Sequence, residues 1–375
     1  MIHKKNIAII ENHIISTNTV RQKLTQVLMQ SGYNVTILST GTEKELALAR
    51  SKGFNVIDVK TSNTNPLHVL MYIRNIRSAL KSINADICLT FTMRPAIWGN
   101  MVTRLLKIPT ITNITGIGPL ADSETIPYKV ARVLYRFVLK KTAKVFFQNN
   151  DDRDIFLQKK FISSGKTEII PGSGVDVEYY QPLPKMRNDE KFVFLFISRL
   201  IKDKGILEYV EAAKKLRDQQ INAEFQVLGP YYSQNLKENI ITEKQIVQWV
   251  EQGVVNYVGA AADVRPFIAN ADCVVLPSYR EGMSNVLLEA GSMQKPCITT
   301  DTTGCRDIVE DGVTGYLCRV KDAGDLYLKM NTMANLSVAE RKLMGVNARE
   351  IIKTKFAKQI VIDAYLSAID AELKK

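Results

Sequence analysis

Histidine is scarce in this chain: three residues, His3, His13 and His68, among 375. That leaves little from which to build a histidine-based metal centre. Cysteine is hardly more common. The five residues Cys88, Cys273, Cys297, Cys305 and Cys318 are odd in number, irregularly spaced and mostly set in apolar, strand-like surroundings. They suggest a reduced, cytoplasmic protein with neither a disulfide framework nor a zinc site. No run of eighteen apolar residues occurs, so no membrane-spanning helix is expected. The opening MIHKKNIAII has two lysines and a short apolar run, but Glu11, Asn12 and His13 interrupt it too early for a signal peptide. It reads as a first buried strand. No internal repeat is evident. Aromatic residues do not interleave with basic ones on strands, which argues against nucleic acid as the partner despite a formal charge of +12.

A chain of this length is natural for two domains. The charge is lopsided. Residues 1–184 hold 24 Lys and Arg against 13 Asp and Glu, whereas the remainder is nearly neutral. The anionic partner therefore belongs to the first half. Strands and helices alternate through both halves, as in doubly wound parallel sheets whose ligands lie beyond the C-terminal strand ends.

The most informative stretch is Ala271 to Met293, ADCVVLPSYREGMSNVLLEAGSM. Four consecutive apolar residues, Cys273 to Leu276, read as a buried strand. A turn follows, and Ser284 or Asn285 can cap a helix. Backbone N–H groups at such a helix start, here Gly282, Met283, Ser284 and Asn285, suit phosphate. Glu281 and Glu289 bracket that start and suit sugar or ribose hydroxyls. A nucleotide-sugar offers both kinds of group.

EGMSNVLLE resembles the Glu–seven residues–Glu motif of the retaining family 4 glycosyltransferases. The resemblance runs along nearly the whole chain. It implies the GT-B fold, two Rossmann-like domains facing a cleft, divided here as 1–183 and 184–355. It also implies that a terminal helix over 356–375 packs back on the first domain. Residues 181–190, QPLPKMRNDE, read as the linker. In the second domain Arg199 and Lys204 of RLIKDKG resemble the family's diphosphate-binding pair, with Lys204 preferred to Lys202 because Gly205 follows it. Gly229 and Gly259, at strand ends, are expected in the nucleotide pocket. In the first domain Arg94 and the Thr115-Gly116-Ile117-Gly118 loop are similar to acceptor-side loops of the subfamily that builds capsule, O-antigen and polyprenyl-diphosphate-linked glycans. Ile169 to Asp176 resembles the family's Gly-Val-Asp segment. Glu11 and His13, at the end of the first strand, are candidates for contacts near the cleft.

Residues 126–147 place Lys129, Arg132, Arg136, Lys140 and Lys144 at intervals of three, four, four and four, with no acid between the first and last. On a helix they form one basic stripe, suited to an anionic membrane. Asp152-Arg153-Asp154 mimics a metal-binding Asp-x-Asp, but capping and the helix dipole explain acids in a first turn.

The expected activity is metal-independent, retaining transfer of a sugar, an N-acetylhexosamine or related hexose, from a UDP-sugar to a polyprenyl-diphosphate-linked saccharide. The enzyme would sit peripherally on the inner membrane and need no cofactor. Arg199, Lys204 and Glu281 would carry the chemistry, and Glu289 would hold the ribose. The rival readings are a nucleotide-sugar epimerase of similar two-domain fold and a non-catalytic basic membrane-binding protein.

Overall fold

The computed structural model describes residues 4–60, 66–117, 120, 125–187, 191–231 and 239–375. Contacts divide the chain into two compact units, 1–173 with 359–375, and 174–358.

The first unit holds a seven-stranded parallel sheet. Its strands are β1 (Asn6–Ile10), β2 (Asn34–Ser39), β3 (Asn55–Asp58), β4 (Ile87–Phe91), β5 (Thr110–Ile114), β6 (Lys144–Phe147) and β7 (Thr167–Ile169), in the order 3-2-1-4-5-6-7. The order reverses between β1 and β4, where Ile9 pairs with Leu89. Such a reversal opens a crevice at the C-terminal strand ends. The connecting helices are α1 (Ile15–Asn18), α2 (Gln22–Gln30), α3 (Glu43–Ser51), α4 (Pro66–Ser82), α5 (Asn100–Leu106), α6 (Ile126–Leu139) and α7 (Asn150–Gln158). The chain breaks between α1 and α2, where Arg21 turns inward to meet buried Glu11. The stretch 95–107 also departs from a plain helix. Pro95–Gly99 forms a wide π turn before α5, and the Asn100 amide donates back to the Ala96 carbonyl at 2.6 Å. Wide turns of this kind concentrate at functional sites.

The second unit carries a six-stranded parallel sheet: β8 (Phe192–Ile197), β9 (Ala223–Leu228), β10 (Asn256–Tyr257), β11 (Cys273–Leu276), β12 (Cys297–Thr300) and β13 (Gly315–Cys318), in the order 10-9-8-11-12-13. β8, FVFLFI, is buried along its whole length, as a central parallel strand must be. Around it lie α8 (Ile206–Asp218), α9 (Glu243–Glu251), α10 (Arg265–Asn270), α11 (Asn285–Ser292), α12 (Ala323–Asn335) and α13 (Val338–Lys355). One core joins the sheet to Leu216, Leu287, Leu326 and Ile352.

The proline-bearing segment 181–190, read from sequence as a linker, is held on the second unit over its described residues. Lys185 and Arg187 both pair with Asp272, and the Met186 N–H donates to Asn270. The chain enters this unit earlier, where the Val175 N–H bonds the Phe356 carbonyl at 3.0 Å and the Lys358 N–H returns to Val175 at 2.9 Å. The last helix, α14 (Lys358–Leu373), buries Val361, Ile362, Tyr365 and Ile369 in the core of the first unit. There Tyr365 packs edge-on to Phe146 and accepts a hydrogen bond from Asn113 at 2.8 Å.

Candidate functional site

Five loops of the second unit leave adjacent strands at their C-terminal ends. Arg199 follows β8, Gly229 follows β9, Gly259 follows β10, Glu281 follows β11 and Thr303-Gly304 follow β12. The Lys204 ammonium bonds the Glu281 carboxylate, and the Ser278 hydroxyl donates to the same oxygen at 2.7 Å. Gly205 makes this approach possible. Its φ is +76°, and a Cβ there would stand 2.1 Å from the Pro277 carbonyl oxygen. Any side chain would lever the Lys204 turn off the strand that carries Glu281. Lys202, two residues earlier, makes no such contact, and Arg199 is exposed at the same sheet edge.

Gly304 does for the other side of Glu281 what Gly205 does for Lys204. Its φ is +74°, and a Cβ would meet the carbonyl oxygens of Glu281 and Gly282 at 2.6 Å each. The turn it forms accepts the Glu281 N–H at the Thr303 carbonyl (3.1 Å) and the Ser284 N–H at its own carbonyl (3.2 Å). The Ser284 N–H, expected to face a phosphate, is therefore committed within the protein. Ser284 occupies the N-cap of α11, but its hydroxyl makes no capping bond. The N–H groups of Met283, Asn285 and Val286 have no partner among the described residues. At the end of β9, Gly229 donates to the Gly259 carbonyl at 2.8 Å, and the Tyr257 hydroxyl donates to Gly229 at 3.0 Å.

Glu289 lies one turn into α11. Burial pushes its carboxyl up to about 7, against the pull of Tyr180 and the Lys358 ammonium. Burial of this kind disfavours the charged form, an environment that recurs at functional sites.

In the first unit His13 follows β1, Arg94 follows β4, and Thr115 and Gly116 follow β5, so all four gather at the C-terminal ends of neighbouring strands. Gly118, the last acceptor-side residue expected from sequence, lies outside the described residues. Thr92, two residues before Arg94, has φ +69°. A β-branched residue in that region is strained, and such strain concentrates at binding loops. Glu11 is excluded from the reaction centre by complete burial. It accepts from Arg21 (3.0 Å) and from the Thr17 hydroxyl (2.6 Å).

A cavity of about 710 Å³ lies at the opposite, N-terminal ends of the second sheet, lined by Phe192, Asp272, Lys295 and Arg341 among others. Lys295 donates to the Ala269 and Ala271 carbonyls at 2.7 and 2.8 Å, closing the end of α10. These cations answer helix C-termini and belong to the scaffold.

Comparison with known proteins bears directly on this arrangement. Residues 7–149 match the family described as glycosyl transferase 4-like, and residues 191–335 match glycosyl transferases group 1. The chain belongs to the family 4-like glycosyltransferases. A curated relative from Campylobacter jejuni, an N,N′-diacetylbacillosaminyl-diphospho-undecaprenol α-1,3-N-acetylgalactosaminyltransferase, is 24% identical over 343 residues, covering 87% of this chain and 88% of that one. A UDP-Gal:α-D-GlcNAc-diphosphoundecaprenol α-1,3-galactosyltransferase of Escherichia coli is 27% identical over 262 residues, 65% of each chain. The crystal structure of a glycosyltransferase from Rickettsia africae superposes with a TM-score of 0.82 over 100% of both chains at 20% identity. That likeness shows the fold, which is GT-B.

In this glycosyltransferase the structure brings Arg199, Lys204, Glu281, Gly282, Met283, Ser284, Asn285, Gly229 and Gly259 to one edge of one sheet, with Glu289 a turn away. The basic stripe is not brought together as expected. Lys129, Arg132 and Arg136 lie on α6 and Lys140 just past its end, but Lys144 belongs to β6 and pairs with Glu168 at 2.7 Å. The helix stops because the chain must turn into that strand. Arg132 and Arg136 also bond the carbonyls of Leu120 and Lys159. Four contributors escaped the sequence reading: Tyr180, Ser278, Thr303 and Gly304. Only Gly304 left a signal, a glycine four residues past the end of β12.

Proposed function

We propose that this glycosyltransferase moves a hexose or N-acetylhexosamine, with retention, from a UDP-sugar to a saccharide carried on a polyprenyl diphosphate. The observation that carries the donor half is the Lys204–Glu281 pair beside Arg199 at the ends of β8 and β11. The cations suit a departing diphosphate, and the carboxylate suits the sugar's hydroxyls. Glu289 suits the ribose diol. The bond from the anomeric carbon to the β-phosphate oxygen breaks, and the acceptor hydroxyl oxygen bonds to that carbon on the same face. The acceptor's proton passes to the departing phosphate, so no separate base is required. Arg199 and Lys204 supply the positive charge that a divalent metal supplies in other folds, and no cofactor is needed. The diphosphoundecaprenol acceptors named for both curated relatives, and the UDP-Gal named for one, support the choice of substrates. Incubating the enzyme with a panel of UDP-sugars and a polyprenyl-diphosphate saccharide tests the reading. Net transfer with the anomeric configuration kept is expected. Epimerised donor without transfer would replace the assignment.

A lipid-linked acceptor calls for contact with a membrane, and among the described residues no helix is long and apolar enough to cross one. We infer that α6 rests on an anionic lipid surface. Its inner face buries Ala131, Tyr135, Val138 and Leu139. Its outer face exposes Ile126 (77%), Val130 (50%), Val133 (68%) and Phe137 (50%). Those four are spaced four, three and four apart and form one ridge. Lys129, Arg136 and Lys140 flank the ridge, and α6 contains no acid. An apolar ridge with cationic shoulders is the pattern of an interfacial helix. Since Arg132 and Arg136 are engaged by carbonyls, the ridge should outweigh the charges. Val133→Asp with Phe137→Asp is expected to abolish co-sedimentation with phosphatidylglycerol-containing vesicles. Lys129→Glu with Lys140→Glu should weaken it only in low salt. Undiminished sedimentation of the Asp variant would make the ridge an ordinary surface.

A further inference from the structure

Residues 278–281, between β11 and α11, are held at both ends from β12 and the loop after it. The Thr299 hydroxyl donates to the Leu276 carbonyl at 2.7 Å, and the Thr300 hydroxyl donates to the Ser278 carbonyl. At the other end the Glu281 N–H is taken by the Thr303 carbonyl. Between them the Tyr279 N–H bonds the Asp203 carbonyl at 2.9 Å, which ties this turn to the segment that carries Lys204. Ser278 is fully buried, and its hydroxyl has one hydrogen to give. That hydrogen goes to Oε1 of Glu281, at 2.7 Å, and the Lys204 ammonium bonds the same oxygen. Oε2 has no hydrogen-bond donor among the described residues, and the Glu281 side chain is still 13% exposed.

We propose that Ser278 is a positioning residue for Glu281: by donating to Oε1 it fixes the plane of the carboxylate and leaves Oε2 for the donor sugar. This rests on the reading of Glu281 as the group that accepts from the sugar's hydroxyls. An ammonium is a compact point charge and binds one carboxylate oxygen or both, so Lys204 alone leaves the carboxylate free to rotate. A hydroxyl is directional, and a buried one fixed by its backbone removes that freedom before the donor arrives. A binding group held in advance loses less freedom on binding. Without the hydroxyl both oxygens can turn to Lys204, and the sugar then competes with the ammonium for them. Ser278 acts only through Glu281, so its contribution is confined to the sugar half of the donor.

The test titrates UDP, UDP-galactose and UDP-N-acetylgalactosamine into the wild-type enzyme, Ser278→Ala, Glu281→Ala and the double variant. The quantity read is the affinity for the better-bound UDP-sugar relative to UDP. Melting curves check that each protein folds. Ser278→Cys fills the same space with a weaker donor, carries the same expectation and replaces the alanine variant should that one unfold. Ser278→Ala is expected to lower the ratio roughly threefold to tenfold, and Glu281→Ala on the order of tenfold to a hundredfold. UDP alone should bind Ser278→Ala within about twofold of wild type. In the Glu281→Ala background Ser278→Ala should cost no more than about a further twofold, because its partner is gone. An unchanged ratio in Ser278→Ala beside a loss in Glu281→Ala would overturn the proposal and leave the Glu281 reading intact. A Ser278→Ala loss that falls equally on UDP and the UDP-sugar, or that persists undiminished in the Glu281→Ala background, would make the hydroxyl merely structural and overturn it too. An unchanged ratio in Glu281→Ala would remove the sugar reading itself, and the proposal with it.

Discussion

Replacing Lys204 by alanine lowers turnover roughly 10²–10³-fold, and replacing Arg199 by alanine does the same. That is the usual effect of losing one donor to charge that develops in the transition state. In the free enzyme Lys204 is already paired with Glu281, so its charge is partly spent there. As the diphosphate leaves, its new negative charge draws on the same ammonium, and the pull is stronger in the transition state than in the ground state. The loss should therefore appear in kcat more than in KM. The two cations serve one leaving group, so the double variant should lose less than the product of the singles. Lys202 belongs to the same short turn and makes no contact with Glu281, so Lys202→Ala is the internal control and should stay within about twofold of wild type. Steady-state kinetics on the four proteins decides the matter. A large loss in Lys202→Ala with none in Lys204→Ala would move the site to the other lysine. Wild-type rates in Arg199→Ala would remove that residue from it.

The ease with which this pair can be picked out of the sequence has a physical origin. Parallel sheets gather their functional loops at C-terminal strand ends, so finding β8 and β11 already locates Arg199, Lys204 and Glu281. β8 and α4 are legible because a fully buried strand leaves an unbroken apolar run and a long amphipathic helix leaves a 3.6-residue rhythm. α9 went unread although Thr242 and Gln245 form a capping box at its start, a signal that calls for looking at caps before apolar runs. The partners of the site residues are a different case. Gly304 packs against the backbone of Glu281 from the end of a different strand, and nothing at its own position in the sequence names that partner. The basic stripe misled for a related reason. Spacing of three and four predicts a shared helix face, but it cannot say where the helix ends, and Lys144 lies beyond that end in a strand.

The Glu11–Arg21 pair predicts the largest change in stability. Glu11 follows β1 at zero exposure, and Arg21 is 5% exposed with its guanidinium 4.1 Å above the Phe91 ring. Glu11→Ala leaves that guanidinium buried without its counter-charge and leaves the Thr17 hydroxyl without its acceptor. Removing one member of a buried pair costs about 3–5 kcal/mol. The chain has two tryptophans, Trp98 in the first unit and Trp249 in the second. Urea unfolding followed by Trp98 fluorescence in a Trp249→Phe background therefore isolates the first unit. A loss below about 1 kcal/mol would mean that water reaches the orphaned guanidinium. The pH dependence gives a second check. Burial raises the Glu11 carboxyl above its ordinary value, and Arg21 and Thr17 only partly offset this. Between the unfolded and folded values the native state binds more protons, so the pair's contribution falls as pH rises through that window. Glu11→Gln cannot ionise and keeps an oxygen for Thr17, so it should lose this slope and cost less than Glu11→Ala. If the glutamine variant proved the less stable at neutral pH, the attraction to Arg21 would outweigh the cost of burying the carboxylate, and the sign assigned to Glu11 would be reversed.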